Sequence, residues 1–93
     1  MNLPATQGII QIETEPRDTV KDIRQQIKQQ ISHFNWSGAS SCTVHITFKK
    51  LSELQMQNIH DALSGTVGTY LAKPKKKRDL ISGYAIIDIV AEV

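Results

Sequence analysis

Cys42, Val44, Ile46 and Phe48 alternate strictly with Thr43, His45, Thr47 and Lys49. In extended backbone successive side chains point to opposite faces, so this segment reads as a strand with one apolar and one polar side. Such a strand needs cover on one side only, which points to a sheet packed on one face and open on the other. The flanking segments supply the cover. Val20, Ile23, Ile27, Ile31 and Phe34 recur at helical spacing with Lys, Arg and Gln between them, the pattern of an amphipathic helix from about Asp18 to about His33. Thr19 and Asp22 have capping-box spacing, with Asp18 as an alternative cap. After the central strand, Ser52 and Gln55 have the same spacing and Leu51 can staple onto Met56. Ile59, Ala62 and Leu63 continue the apolar side of this second helix, and Gly65 is its expected stop.

The remaining apolar runs are short and extended. Ile9, Ile10 and Ile12 read as a first strand that ends in the polar stretch Glu13 to Pro16. Val67 to Lys73 and Tyr84 to Val93 read as the last two, with Ala85, Ile87, Ile89 and Ala91 on one side of the final strand. The expected architecture is an α/β (α+β) two-layer sandwich in β-α-β-α-β-β order, a four-stranded mixed sheet with two helices on one face. The last two strands are expected to form an antiparallel hairpin around a loop from Pro74 to Gly83. Asn35 to Ser41 reads as a loop whose Trp36 folds back onto the core.

A length of 93 residues suits one small domain, and 40% apolar with 22% charged residues suits a chain that builds a core. One cysteine, Cys42, rules out an intramolecular disulfide and makes a cytoplasmic, intracellular setting the default expectation. No apolar run approaches the ~18 residues of a membrane span, and the first residues lack the pattern of a secretory signal, so no membrane association is expected.

Few residues suggest chemistry. Cys42 and His45 have a C-x-x-H spacing, but residues three apart on a strand point to opposite faces and do not converge on one ion. His60 and Asp61 diverge around a helix, and neither a dinucleotide-binding glycine pattern nor a phosphate loop is present. The expectation is no enzyme activity, no metal and no cofactor.

Charge is distributed less evenly. Lys73, Lys75, Lys76, Lys77 and Arg78 hold five of the eleven positive charges; without them six basic residues face nine acidic ones, where the whole chain is +2. A basic tip on a mildly acidic body creates a local positive potential whatever lies beneath it. Pro74 favours an extended path that lets the lysines project, Lys49 and Lys50 can widen the patch, and Tyr70 and Tyr84 are placed to stack on unpaired bases. The element order with this basic hairpin is similar to that of the Alba-type chromatin proteins and, more loosely, of the C-terminal domain of bacterial translation initiation factor three. The resemblance is one of layout and carries over no site residue; the same layout also supports protein-binding modules such as the N-terminal domain of a bacterial division inhibitor.

Two functions are therefore expected of the chain. The first is non-enzymatic binding of DNA or RNA phosphates with low sequence specificity, through Lys73, Lys75, Lys76, Lys77 and Arg78 with Lys49 and Lys50 in support. The alternative is a small protein-interaction module or inhibitor, of the kind mobile elements encode, that meets an acidic protein partner or forms a homodimer through the open sheet face or an edge strand.

Overall fold

The computed structural model describes residues 7–31 and 41–92. The expected helix end at His33, Phe34 and the Trp36 loop lie outside them. In chain order the elements are β1 (Gln7–Thr14), α1 (Val20–Ile31), β2 (Ser41–Phe48), α2 (Glu53–Ser64), β3 (Leu71–Lys76) and β4 (Ala85–Glu92). This is the expected α+β arrangement, a four-stranded mixed sheet with two helices, and the strands lie in the order β1-β4-β2-β3.

Both helices start on local chemistry. The Asp22 amide donates to the Thr19 hydroxyl at 3.2 Å and the Thr19 amide donates to the Asp22 carboxylate at 3.0 Å, so Thr19 is the cap of α1. Asp18 acts elsewhere, since its carboxylate accepts from the Glu15 amide at 2.9 Å and closes the turn that leaves β1. Ser52 caps α2 through a complete capping box with Gln55. At its far end, Thr66 Oγ1 donates to the Ala62 carbonyl at 2.8 Å and the Val67 amide to the Leu63 carbonyl at 2.8 Å. Val67 to Tyr70 are consequently the exit turn of α2, and the third strand begins at Leu71 rather than at Val67.

The apolar stripes meet where the periodicity places them. Ile23 and Ile27 of α1 and Ile59, Ala62 and Leu63 of α2 pack on Ile10 and Ile12 of β1, Val44, Ile46 and Phe48 of β2, and Ala85, Ile87 and Ile89 of β4. β3 has no residue in this core: Ala72 is half-buried and its other five residues are exposed. It is held by its backbone ladder to β2.

The hairpin expected of the last two strands does not form. β3 pairs in parallel with β2, and β4 runs antiparallel between β1 and β2, so one strand separates β3 from β4. Two physical causes favour this order. The stretch Ala85 to Ala91 is apolar on both sides apart from Asp88, which suits a central strand, whereas Lys73-Pro74-Lys75-Lys76 suits an edge. The connecting segment 77–84 can extend about 25 Å, ample to pass the end of β2 and reach a position two strand spacings away, about 10 Å.

Ile87 is fully buried on the central strand. Ile87→Ala is expected to cost about 2–5 kcal/mol, a large part of the ~5–15 kcal/mol of a typical domain, and urea unfolding checks it. The Asp22 carboxyl is held below the ordinary aspartate range, first by the Thr19 amide and then by the Thr19 hydroxyl. Its contribution to stability is present above the unfolded-state value and is lost as pH falls through the lower folded-state value. Asp22→Asn should therefore flatten the acid limb of a melting-temperature profile while the rest of the profile keeps its shape.

Candidate nucleic-acid interface

β1 and β2 both run antiparallel to β4, and β3 runs parallel to β2, so the C-terminal ends of β1, β2 and β3 lie at one pole of the sheet. The chain leaves β2 there as Lys49 and Lys50 and leaves β3 as Lys77 and Arg78. The Lys77 amide donates to the Phe48 carbonyl at 2.8 Å and the Gly83 amide to the Lys50 carbonyl at 2.8 Å, which ties both exits together. Sequence reading ended the third strand at Lys73 and placed Pro74 to Gly83, with most of the basic run, in a hairpin loop. The strand instead continues through Lys76, so Lys75 and Lys76 join Lys73 in the edge strand, while Lys77 and Arg78 start the connection that follows.

Because the Lys77 amide faces β2, alternation turns the amides of Lys75 and Lys73 the same way and leaves position 74 facing the free edge. Proline there costs the β2 ladder nothing and removes a donor from the open edge, the position at which a strand tolerates it. The same alternation divides the lysines. Lys73 and Lys75 lie opposite His45 and Thr47 on the open face of the sheet, whereas Lys76 lies opposite Phe48 on the helix side.

Across the open face the register builds three rows. Ile9, Val90, Thr43 and Leu71 form an apolar row; Gln11, Asp88, His45 and Lys73 form a polar one; Glu13, Ile86, Thr47 and Lys75 form the row nearest the cationic pole. Charge on this face thus grades from acidic on β1 and β4 to basic on β3. Gln11 Nε2 donates to the Asp88 carboxylate at 2.8 Å, so that acid is engaged within its own row. Thr43 and Thr47 are half-buried by their neighbours, while His45 is exposed.

Lys49, Lys50, Lys73, Lys75, Lys76, Lys77 and Arg78 are all exposed. None of them makes an ion pair with a carboxylate among the described residues. Both helices start at this pole, and their capping boxes meet the amides of Thr19, Asp22, Ser52 and Gln55. An anion arriving here meets the exposed ammonium and guanidinium groups of the run.

The connection carrying Lys77 and Arg78 is clamped at Gly83. Gln55 serves two elements at once, because its Oε1 accepts from the Ser52 amide at 3.2 Å while its Nε2 donates to the Gly83 carbonyl at 2.9 Å. Gly83 has φ +88, and a Cβ there would lie 2.7 Å from Pro16 Cγ. A side chain is thus opposed by both the backbone conformation and the neighbouring turn.

The two tyrosines part company. Tyr70 is half-buried, its hydroxyl lies 2.6 Å from His60 Nδ1 and its ring stacks on His60 at 6.0 Å; burial pushes its pKa up. It is committed to α2, not available as a stacking surface. Tyr84 stays exposed at the start of β4. Cys42 packs toward the core and His45 points from the opposite side of the strand; burial pushes the Cys42 thiol up. No group of three or more potential metal ligands occurs among the described residues.

Sequence reading missed a second cationic stripe, Lys21, Arg24 and Lys28, which with Val20 and Gln25 lines a shallow depression on α1. Its signal is their helical spacing on the polar side of α1.

Fold and pole together define a two-layer α+β protein with an uncovered, cation-bearing edge strand. Compared with known protein families and with curated protein sequences, the chain matches none. No helix among the described residues is long and apolar enough to cross a membrane.

Gly83→Ala is expected to destabilise by about 1–2 kcal/mol through its left-handed backbone alone. Gln55→Glu keeps the capping acceptor but loses the donor to Gly83, for about 1 kcal/mol. Both should speed tryptic cleavage at Lys77 and Arg78. Unchanged melting and cleavage in both variants would show that Gly83 does not clamp this segment.

Proposed function

We propose that this is a non-enzymatic nucleic-acid-binding protein that holds phosphates on its cationic edge, with low sequence specificity. The observation that carries the reading is the run Lys73 to Arg78, exposed along an edge strand and its exit, with no carboxylate paired to it among the described residues. A row of such groups at strand spacing follows a phosphate backbone without reading bases. Lys73 and Lys75 are on the open face, Lys77 continues their alternation, and Lys49, Lys50 and Arg78 cluster at the pole. The chain's single cysteine supports a cytoplasmic setting as part of this proposal.

Salt dependence of binding is the test. Five phosphate contacts on duplex DNA give a slope of log affinity against log salt of about −4.5, or a loss of a few hundredfold between ~50 and ~200 mM. Removing two of the five, with Lys73→Gln and Lys75→Gln, should make the slope shallower by about 1.8. Salt-independent binding, or binding that survives removal of all five charges, overturns the mechanism.

A second reading, a protein-interaction module working through the open face or an edge as a homodimer or with an acidic protein, is favoured by one observation. Ile9 and Leu71 are 57% and 60% exposed in the apolar row. A dimer mass in solution that Leu71→Lys converts to monomer, or a protein partner retained after nuclease treatment, would support it.

A further inference from the structure

Tyr84 lines a groove of about 240 Å3 with Leu80, Ile81 and Ile86, and Glu13 and Asp79 belong to the same lining. Ile81 is 68% exposed and Tyr84 40%, so two large apolar side chains stand in water beside the core. The groove borders the cationic segment directly, since the Leu80 amide turns back onto the Lys77 carbonyl at 3.4 Å. On the other side, the row from Ile86 through Thr47 to Lys75 places that lysine's backbone two strand spacings, about 10 Å, from the groove floor.

These features restrict the occupant. The volume lies below the ~300–1,000 Å3 of pockets that take drug-sized ligands, so one ring system fits better than a large cofactor. An aromatic and aliphatic wall favours a flat apolar face. The two carboxylates in the lining repel an anion and accept hydrogen bonds, so the inserted group carries N–H donors while its phosphates stay outside on the lysines. A nucleobase with an exocyclic amine on a sugar-phosphate chain meets all three conditions. An acidic peptide does not, because its carboxylates would face Glu13 and Asp79. In a duplex the base faces are stacked and their amines paired, so the groove can take a base only from a single strand.

We infer that the Tyr84 groove is a base pocket of the cationic edge: the protein takes single-stranded nucleic acid, stacks one amino-bearing base on Tyr84, and seats flanking phosphates on Lys75, Lys77 and Arg78. This rests on the nucleic-acid reading above and adds strandedness and base class to it.

The test is fluorescence anisotropy with labelled single strands of about 12 nucleotides, as oligo-dA, oligo-dC, oligo-dT and their RNA counterparts, beside a duplex of equal length. Wild type should bind single strands more tightly than duplex at equal salt, and A or C more tightly than T or U. Tyr84→Leu should weaken single-strand binding by about 5- to 150-fold and leave duplex binding unchanged. Tyr84→Phe should retain binding, which guards against a folding defect, and Glu13→Gln with Asp79→Asn should erase the base preference. The DNA and RNA arms decide which strand is held. If removing the five charges abolishes binding while Tyr84→Leu changes nothing, the base pocket falls and phosphate binding stands. A duplex preference, or equal competition by poly-glutamate, also overturns the pocket, and no binding of any strand overturns both.

Discussion

The seat of β4 between β1 and β2 governs the rest of the molecule. Its Ala85, Ile87, Ile89 and Ala91 are buried toward the helices, and both of its edges are paired. Once β4 takes the inner side of β2, β3 is left with the outer side, where it adds nothing to the core. A lysine- and proline-rich strand is suited to that place, because charge and a missing donor at the free edge discourage pairing with other chains. The same features leave its cations exposed to polyanions. Edge protection and phosphate contact thus draw on the same side chains, and the salt response of binding separates them.

The pole where the cations gather is built on locally capped helices. Each helix start carries a capping box, Thr19 with Asp22 and Ser52 with Gln55, that fixes how the chain enters the helix. The Gln55 side chain then joins the α2 cap to Gly83, and with it the path of the connecting segment. Positive charge is consequently presented on a backbone held at several points, with long flexible side chains as the contacting groups. That combination suits a partner whose charges repeat regularly and whose sequence need not be read.

Much of this was legible from residues alone. The alternation from Cys42 to Lys49 and the helical spacing of Val20, Ile23 and Ile27 each mark an element, because their periods reflect which side faces the core. The caps were legible because they are local, with partners three residues apart. Strand pairing was not. Nothing within Leu71 to Lys76 says that its partner is β2 rather than β4, since a backbone ladder accepts any extended neighbour and the choice falls to the burial of β4. The fate of the tyrosines was equally hidden: Tyr70 meets His60 through the turn at Gly68, while Tyr84 remains exposed at the start of β4.

Local periodicity and charge density thus settled the number, kind and order of the elements, along with the existence of a concentrated cationic segment, because each follows from neighbours close in the chain. Sheet order, the division of the lysines between two faces, and the groove beside Tyr84 came from folding. They depend on which distant strand wins the inner place beside β2, a competition decided by buried apolar area and by the reach of segment 77–84.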